Sequence, residues 1–334
     1  MKVLEATKNV FEKIFRNFLI KSKNFFSKTN LKRHLVGFII ATLLLIVDII
    51  VAYNLGYATE HKTIYEATPY VILIIIAYGI YLIKLFLTNK KSSTDIIIIL
   101  LAFLLFWDVS YKAGWVQNDL LVPSPEGLFY VFKTDKTRIF KEIFTSLQLL
   151  FWAFLLAIIS GTLLGLVSGW FVRLREIMIP VSNVITLIPP MLMTAWLIMW
   201  FPFKIAAIAI IFLAVFWPTF QGMVARVSQI DKKTLDAARV MGVSNVEMIY
   251  KVIIPYCLPG IITSISKSLR GAFMCLVAAE MIGINGGIGF YTETYKAYAD
   301  YRRVLAGIVS IGFITTIIDI VVTKIEKAVV KWRI

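Results

Sequence analysis

The sequence predicts an all-α polytopic membrane protein with about eight transmembrane helices. Of its 334 residues, 59% are hydrophobic and only 16% are charged, and the mean hydropathy is +0.81. A soluble domain does not need so large an apolar fraction. The apolar residues also form separate runs of about 17 to 25 residues, which is the length of a helix that crosses the hydrocarbon layer of a bilayer.

Residues 1–34 form a basic segment before the first apolar run. They contain nine lysine and arginine residues, with apolar residues at helical spacing between Val10 and Leu19. This pattern favours an amphipathic helix on an anionic cytoplasmic membrane surface. A solvated tail that only sets the topology explains it equally well. We expect no cleaved secretory signal, because these polar residues precede the first apolar run.

The apolar runs predict the spans in chain order. The predicted spans are residues 35–54, 69–88, 94–111, 145–171, 177–200, 204–225, 258–282 and 303–323. An even number of spans places both termini on the same side of the membrane.

The basic excess of 35 Lys and Arg over 20 Asp and Glu lies in the gaps between these runs. A nucleic-acid-binding protein would gather such an excess on one soluble face, whereas the cytoplasmic loops of membrane proteins carry it. The basic gap residues are Lys90, Lys91, Arg173, Arg175, Arg226, Lys232, Lys233, Arg239, Lys251, Lys324, Lys327, Lys331 and Arg333. The charges therefore predict cytoplasmic termini, and a long, partly ordered outer loop over residues 112–144.

Glycine and proline mark two of the predicted spans. Gly161, Gly165 and Gly169 recur every four residues, so they form one stripe that allows a close helix contact. We favour a contact within the chain over a dimer seam. Pro189 and Pro190 lie in the fifth span, where two missing backbone donors must bend or break the helix. Such a break is tolerated when it is buried or lines an aqueous path.

The span 258–282 contains three charged residues, of which Arg270 and Glu280 are candidates for the path or its gate. Lys267 lies near enough to the cytoplasmic end to extend its ammonium group there. Arg270 lies near mid-span, where a charge is unfavourable unless it faces a cavity or a partner. Arg270 is therefore predicted either to contact an anion or gate, or to form a structural ion pair. Glu280 lies near the outer end and is predicted to be a gate residue or a loop anchor.

Residues 231–256 form a polar and basic interruption between two apolar runs, as expected of a cytoplasmic docking surface. Asp231 or Thr234 can cap a first helix. Gly242 ends that helix, because glycine enters the left-handed conformation at little cost. Ser244 and Glu247 have the spacing of a capping box that starts a second helix.

The second helix of this interruption is predicted to end at Pro255, with one apolar face formed by Val246, Ile249, Tyr250 and Ile253. On the first helix, Ala237 and Ala238 leave a shallow flank that another protein could approach closely. Helix propensity alone also explains an alanine pair.

These residues carry a resemblance to a known family. Asp236, Ala237, Ala238, Gly242 and the apolar helix up to Pro255 resemble the "EAA" loop of permease subunits of bacterial ABC importers, with Asp in place of the usual Glu. Further matches are VPSP at Val122–Pro125, the pair Pro189 and Pro190, AAEM at Ala278–Met281 followed by GGIG, and KWR near the C-terminus. Together they resemble the nitrate/sulfonate/taurine/bicarbonate branch of that family.

The resemblance implies a type I ABC importer (MetI-like) transmembrane domain over residues 94–334, with its core at about 143–323. Residues 35–93 would be an additional N-terminal transmembrane pair. The implied partners are cytoplasmic ABC ATPase subunits at the loop 231–256, a second permease copy, an extracellular or periplasmic substrate-binding protein and membrane lipids. ATP and Mg would be bound by the ATPase, so no cofactor is expected in this subunit. The implied location is the bacterial cytoplasmic membrane.

The branch implies a small anion, such as a sulfonate or nitrate, as substrate. A vitamin precursor or another small organic solute remains an alternative. An alternative of another class is a secondary transporter or channel without an ATPase, which a broken helix and a mid-span arginine would also suit.

An enzymatic function is not expected from the sequence. No stretch of the sequence matches a P-loop. The glycine-rich Gly283–Gly289 lacks the required Lys and Ser/Thr and follows a membrane span. It contains no constellation of nucleophile and base, and no metal-ligand cluster. Cys257 and Cys275 are expected to be inert buried thiols.

Overall fold

The computed structural model describes residues 28–54, 65–88, 91–115 and 122–329. The described residues are helical with connecting turns and contain no β-strand. The predicted amphipathic segment around Val10–Leu19 and the KWR motif lie outside them. The chain divides into two compact units, Met1–Thr134 and Asp135–Ile334. The domain boundary predicted at residues 93 and 94 therefore falls inside the first unit.

The described part of the first unit contains three long helices and one short one. They are α1 (Lys28–Asn54), α2 (Thr68–Thr88), α3 (Lys91–Lys112) and α4 (Pro125–Thr134). Helix α3 packs along α1 and also against α2, around a core that includes Ile74, Leu85 and Leu101. The third span therefore shares a core with the first two, which is why the unit boundary follows it.

The VPSP motif starts helix α4. The Ser124 hydroxyl accepts a hydrogen bond from the Gly127 N–H at 3.0 Å, and Pro125 occupies the first turn, where its missing N–H costs nothing. The indole N–H of Trp107 donates to the Pro123 carbonyl at 3.0 Å. Helix α4 confirms the expectation that the loop 112–144 is partly ordered.

The second unit contains the remaining elements. They are α5 (Lys136–Trp170), α6 (Val172–Thr186), a 3₁₀ turn (Pro190–Met193), α7 (Thr194–Trp200), α8 (Phe203–Ser228), α9 (Lys232–Val240), α10 (Asn245–Glu247), a π-helical segment (Met248–Ile253), α11 (Ile254–Ile282), α12 (Ile288–Ala297) and α13 (Tyr301–Val329). Helix α8 lies between α5 and α11, and α12 and α13 pack against each other and against α11.

The described residues contain seven helices that are long and apolar enough to cross a membrane, or eight if the bent pair Val172–Thr186 and Pro190–Trp200 is one span. The pair is bent by 77°, so the break predicted at Pro189 and Pro190 is confirmed. The predicted span 177–200 is therefore two helices rather than one.

The glycine stripe on α5 packs against α8. A Cβ at Gly165 would lie 2.7 Å from the Phe220 carbonyl oxygen and 2.8 Å from the Met223 Cβ, and one at Gly169 would lie 2.7 Å from the Val227 Cβ. These positions have room only for hydrogen, so the two helix backbones approach closely. The interpretation of the stripe as a contact within the chain is confirmed.

Candidate functional site

The first half of the loop 231–256 has the predicted local structure. The Asp231 carboxylate accepts a hydrogen bond from the Lys233 N–H at 3.0 Å and caps α9. The chain leaves this helix through Gly242, whose φ is +79°, and the Val243 N–H donates to the Ala238 carbonyl at 3.1 Å. A left-handed glycine with a backbone bond of this kind ends a helix at little cost.

The second half begins as predicted and ends differently. Ser244 and Glu247 form a capping box, and the Lys251 ammonium lies 2.6 Å from the Glu247 carboxylate. Pro255 does not close the helix, which continues into α11. The π-helical segment Met248–Ile253 ends two residues before Pro255, and its wider turn pairs backbone groups five residues apart. This irregular turn and the first turn of α11 accommodate a residue that lacks an N–H.

The wider turn also changes which side chains share a face. Met248 and Ile253, five residues apart, are both fully buried, whereas Val246 and Tyr250 are exposed. The predicted apolar face of Val246, Ile249, Tyr250 and Ile253 is therefore wrong. It assumed the α-helical repeat of 3.6 residues.

The two alanines of the motif have different environments. Ala237 is exposed, but Ala238 is only 3% exposed and belongs to a core with Met248, Ile253 and Cys257. The expectation that both alanines form an open flank is correct for Ala237 and wrong for Ala238. The loop folds back onto α9, and only a small side chain fits at that contact.

The outer side of the loop carries exposed apolar side chains. Val240 is 88% exposed and Met241 is 76% exposed. We call Ala237, Val240, Met241, Val246 and Tyr250 the exposed loop residues. Asp236 is exposed as well and pairs with Arg239 at 3.0 Å. Val240 and Met241 lie outside the candidate membrane spans, where exposed apolar side chains are typical of a protein–protein contact.

The inner side of the loop packs on the ends of two membrane helices. Its core is continuous with Leu166 of α5 and with Met223 and Val227 of α8. Because close-packed interiors transmit displacement, a force on the exposed loop residues would reach α5 and α8.

Arg226 links α8 to α11, a role that sequence reasoning missed. Its guanidinium donates to the Gly260 carbonyl at 2.8 Å and to the Ser264 hydroxyl. The sequence places Arg226 among the basic residues of an inner loop, and nothing in its spacing indicates a partner on another helix.

A cavity of about 390 Å³ lies beside the break at Pro189 and Pro190. Its wall is mostly apolar and includes Pro190, Met193, Trp217 and Cys275, and its polar members are Thr186, Lys267 and Ser268. Pro189, Arg270 and Glu280 do not line it. Of the residues predicted for the path, the structure thus places only Pro190 at this cavity, and it adds Lys267, which the sequence did not assign to the path.

Arg270 has a partner that the sequence did not indicate. Its guanidinium lies 2.5 Å from the Asp319 carboxylate of α13, and both side chains are about half exposed. The geometry is that of the ion pair considered as the alternative to anion contact. It leaves a role in the path untested.

Glu280 is a loop anchor in this structure. Its buried carboxylate accepts hydrogen bonds from the Ser146 hydroxyl at 2.7 Å and from the Gly289 N–H at 2.9 Å. The Ser146 hydroxyl accepts in turn from the Ile288 N–H at 2.9 Å, and Glu142 accepts from the Gly287 N–H at 2.8 Å. AAEM and GGIG are therefore one hydrogen-bonded unit that joins α5, α11 and α12.

Among the described residues, no group of three or more His, Cys, Asp or Glu is arranged to hold a metal ion. The membrane-length helices, with the capped loop, the broken helix and the cavity beside it, are those of a polytopic helical membrane protein. The chain belongs to the family described as "Binding-protein-dependent transport system inner membrane component", which it matches over residues 157–331.

Relatives of the chain are permease proteins. It is 28% identical to a putative aliphatic sulfonates transport permease protein of Bacillus subtilis, over 68% of this chain and 83% of that protein. It is 26% identical to the taurine transport system permease protein of Escherichia coli, over 65% of this chain and 78% of that protein. It is 28% identical to a nitrate import permease protein of Leptolyngbya laminosa, over 60% of this chain and 73% of that protein.

The family fixes the general role of the chain. It is a multi-pass membrane permease component of an ABC importer, and such components work with ATPase subunits and a substrate-binding protein. A transport component of this kind is not itself an enzyme.

Proposed function

We propose that this protein forms the translocation path of an ATP-driven importer for a small anion and is coupled to its ATPase through the loop 231–256. The observation that carries the coupling proposal is the two-sided packing of the loop. Its outer side exposes Val240 and Met241, while its inner side shares a core with α5 and α8. A partner that binds the outer side can therefore move membrane helices.

The proposed mechanism follows from that connection. ATP and Mg are bound by the partner ATPase, and closure of the ATPase pair moves the docked loops. The loops displace the ends of α5 and α8, and the path opens alternately to the two sides. Two copies of this chain form the path between them, with both termini in the cytoplasm.

A small anion is the proposed substrate for two reasons. The relatives named above are described as permeases for aliphatic sulfonates, taurine and nitrate, and Lys267 places a cationic group at the wall of the cavity. A vitamin precursor or another organic solute would also fit an apolar cavity of about 390 Å³.

Capture of the ATPase by the tagged permease tests the coupling proposal. Val240→Arg and Met241→Arg place a charge on the outer side of the loop without touching its inner core. We expect both variants to insert normally, to lose the ATPase in the capture and to lose uptake.

Tyr298→Arg is the matched control, because Tyr298 is also a highly exposed apolar residue outside the spans. It should retain the ATPase. If the loop variants bound the ATPase and transported substrate normally, the exposed side of the loop would not be the ATPase contact, and the coupling proposal would be refuted.

A further inference from the structure

The first unit contains a buried polar cluster that the proposed transport function does not use. Its centre is Lys112, at the end of α3, whose side chain is 1% exposed. The Lys112 ammonium lies 2.7 Å from the Glu126 carboxylate and 3.1 Å from the Asp108 carboxylate. It also donates to the carbonyls of Val51 at 2.8 Å and Ala52 at 3.2 Å. This ammonium group is fully engaged by protein oxygens.

The cluster contains more acidic than basic groups. Asp48, Asp108 and Glu126 are each at most 1% exposed, and Lys112 supplies one positive charge for the three carboxyl groups. Asp48 interacts electrostatically with Asp108. Neither oxygen of Asp48 has a hydrogen-bond partner among the described residues. A buried carboxylate without a partner is strongly unfavourable, and more so when another negative charge is near.

A second kind of polar group also faces the cluster. The Tyr70 side chain on α2 is fully buried, and its hydroxyl has no hydrogen-bond partner within the described ranges. It interacts electrostatically with Asp48, Asp108 and Glu126. Each of the four described helices therefore contributes to the cluster: Asp48 from α1, Tyr70 from α2, Asp108 and Lys112 from α3 and Glu126 from α4.

Among the described residues the charge of the cluster is unbalanced, which favours a positively charged ligand, and the geometry favours the smallest one. A hard metal cation takes about six or more oxygen ligands. The described residues provide no group of three or more acidic or other ligating side chains in a suitable arrangement, and the Lys112 ammonium already contacts both Asp108 and Glu126. A proton needs only one carboxyl oxygen.

We propose that this cluster is a proton-binding site in which the Asp48 carboxyl group carries the proton, while Asp108 and Glu126 share the Lys112 ammonium. The proton comes from solvent and converts Asp48 into a neutral donor beside Tyr70. The site lies in the first unit, before the family match at residues 157–331. It gives the N-terminal helices a ligand of their own.

Infrared difference spectroscopy of the purified full-length protein tests the proposal. A protonated carboxyl group has a carbonyl stretch that an ionised one lacks, and this band shifts in heavy water. We expect the wild type to show such a band at neutral pH and to lose it at strongly alkaline pH. Asp48→Asn should lack the band. Absence of the band from the wild type, or its persistence unchanged in Asp48→Asn, would overturn the proposal.

Asp95→Asn is the matched control, because Asp95 is an exposed aspartate on α3 and its substitution should leave the band intact. The melting temperature provides a second measurement. Exchange of sodium for choline at constant pH should not change the melting temperature of the wild type. If sodium raised the melting temperature of the wild type but not that of Asp48→Asn, the ligand of the cluster would be a metal cation and not a proton. That result would overturn the proposal. If Asp48→Asn does not fold, Asp48→Glu, which keeps the carboxyl group, replaces it: the band should remain at a shifted frequency, and an unshifted band would overturn the proposal.

Discussion

The Arg270 guanidinium on α11 lies 2.5 Å from the Asp319 carboxylate on α13. Both residues lie within membrane-spanning helices, where an unpaired charge is costly. The sequence marks Arg270 as unusual, but only the packing of two helices distant in sequence provides its partner. This pair gives the first of five predictions.

Exchange of the two charges separates an ion pair from an anion contact. We expect Arg270→Ala to lower uptake while the ATPase still binds, because the loop 231–256 is untouched. The double variant Arg270→Asp with Asp319→Arg should recover uptake, because the pair is restored with its charges reversed. The measurement is substrate uptake in membrane vesicles. Failure of the exchange to restore uptake would instead assign Arg270 a direct contact with the anion.

Two adjacent glycines test the anchoring role of Glu280. Gly286 and Gly287 both have positive φ, +120° and +100°, so alanine at either position is strained by about 1 to 3 kcal/mol. A Cβ at Gly287 would also overlap the Glu280 carboxylate, whereas the nearest atom at Gly286 is 3.6 Å away.

We therefore expect Gly287→Ala to lower the melting temperature more than Gly286→Ala does. If both variants lowered the melting temperature equally, backbone strain alone would explain the loss of stability, and the contact with Glu280 would contribute nothing.

The glycine stripe predicts a position-specific loss of stability. Gly165→Ala places a methyl group 2.7 Å from the Phe220 carbonyl oxygen, so α5 and α8 must separate. Gly312→Ala on α13 meets nothing within 4 Å and should gain up to about 1 kcal/mol of helix propensity. In thermal denaturation of the purified variants, the melting temperature should fall for Gly165→Ala and should not fall for Gly312→Ala. An unchanged melting temperature of Gly165→Ala would contradict the observed close packing.

The adjacent alanines of the loop should respond differently to the same change. Ala238→Trp should destabilise the protein, because the side chain must enter the core formed with Met248 and Cys257. Ala237→Trp should leave the melting temperature unchanged and weaken ATPase binding, because Ala237 is exposed. Melting curves and ATPase capture measure the two effects. Normal ATPase capture by Ala237→Trp would exclude this flank from the contact.

The proposed topology predicts the sidedness of chemical labelling. In a variant without the native Cys257 and Cys275, we expect Lys233→Cys to react with a membrane-impermeant thiol reagent only from the cytoplasm. Lys136→Cys, beside Asp135 and exposed, should react only from outside. The positive charge of the predicted inner loops is the physical reason. The reverse labelling pattern would refute cytoplasmic termini.

Features that depend on neighbouring residues were predictable from the sequence. A helix cap depends only on residues a few positions away in the chain. The structure has each predicted cap, at Asp231, at Gly242 and at the pair Ser244 and Glu247. Pro255 was predicted incorrectly because its effect depends on the π-helical segment before it. The buried state of Ala238 was missed because its contacts come from Met248, Ile253 and the ends of α5 and α8.

The sequence by itself determined the class of protein, the positions of its spans and the break at Pro189 and Pro190. Apolar run length, missing backbone donors and helix caps are local properties, so one stretch of chain is enough to state them. Only the tertiary structure decided that Arg270 pairs with Asp319, that Glu280 holds the GGIG loop and that Lys112 pairs with Glu126. These groups lie on different helices, and a buried charge or polar atom is stabilised by whichever partner the packing brings within hydrogen-bonding distance. Spacing along the chain carries no information about that partner.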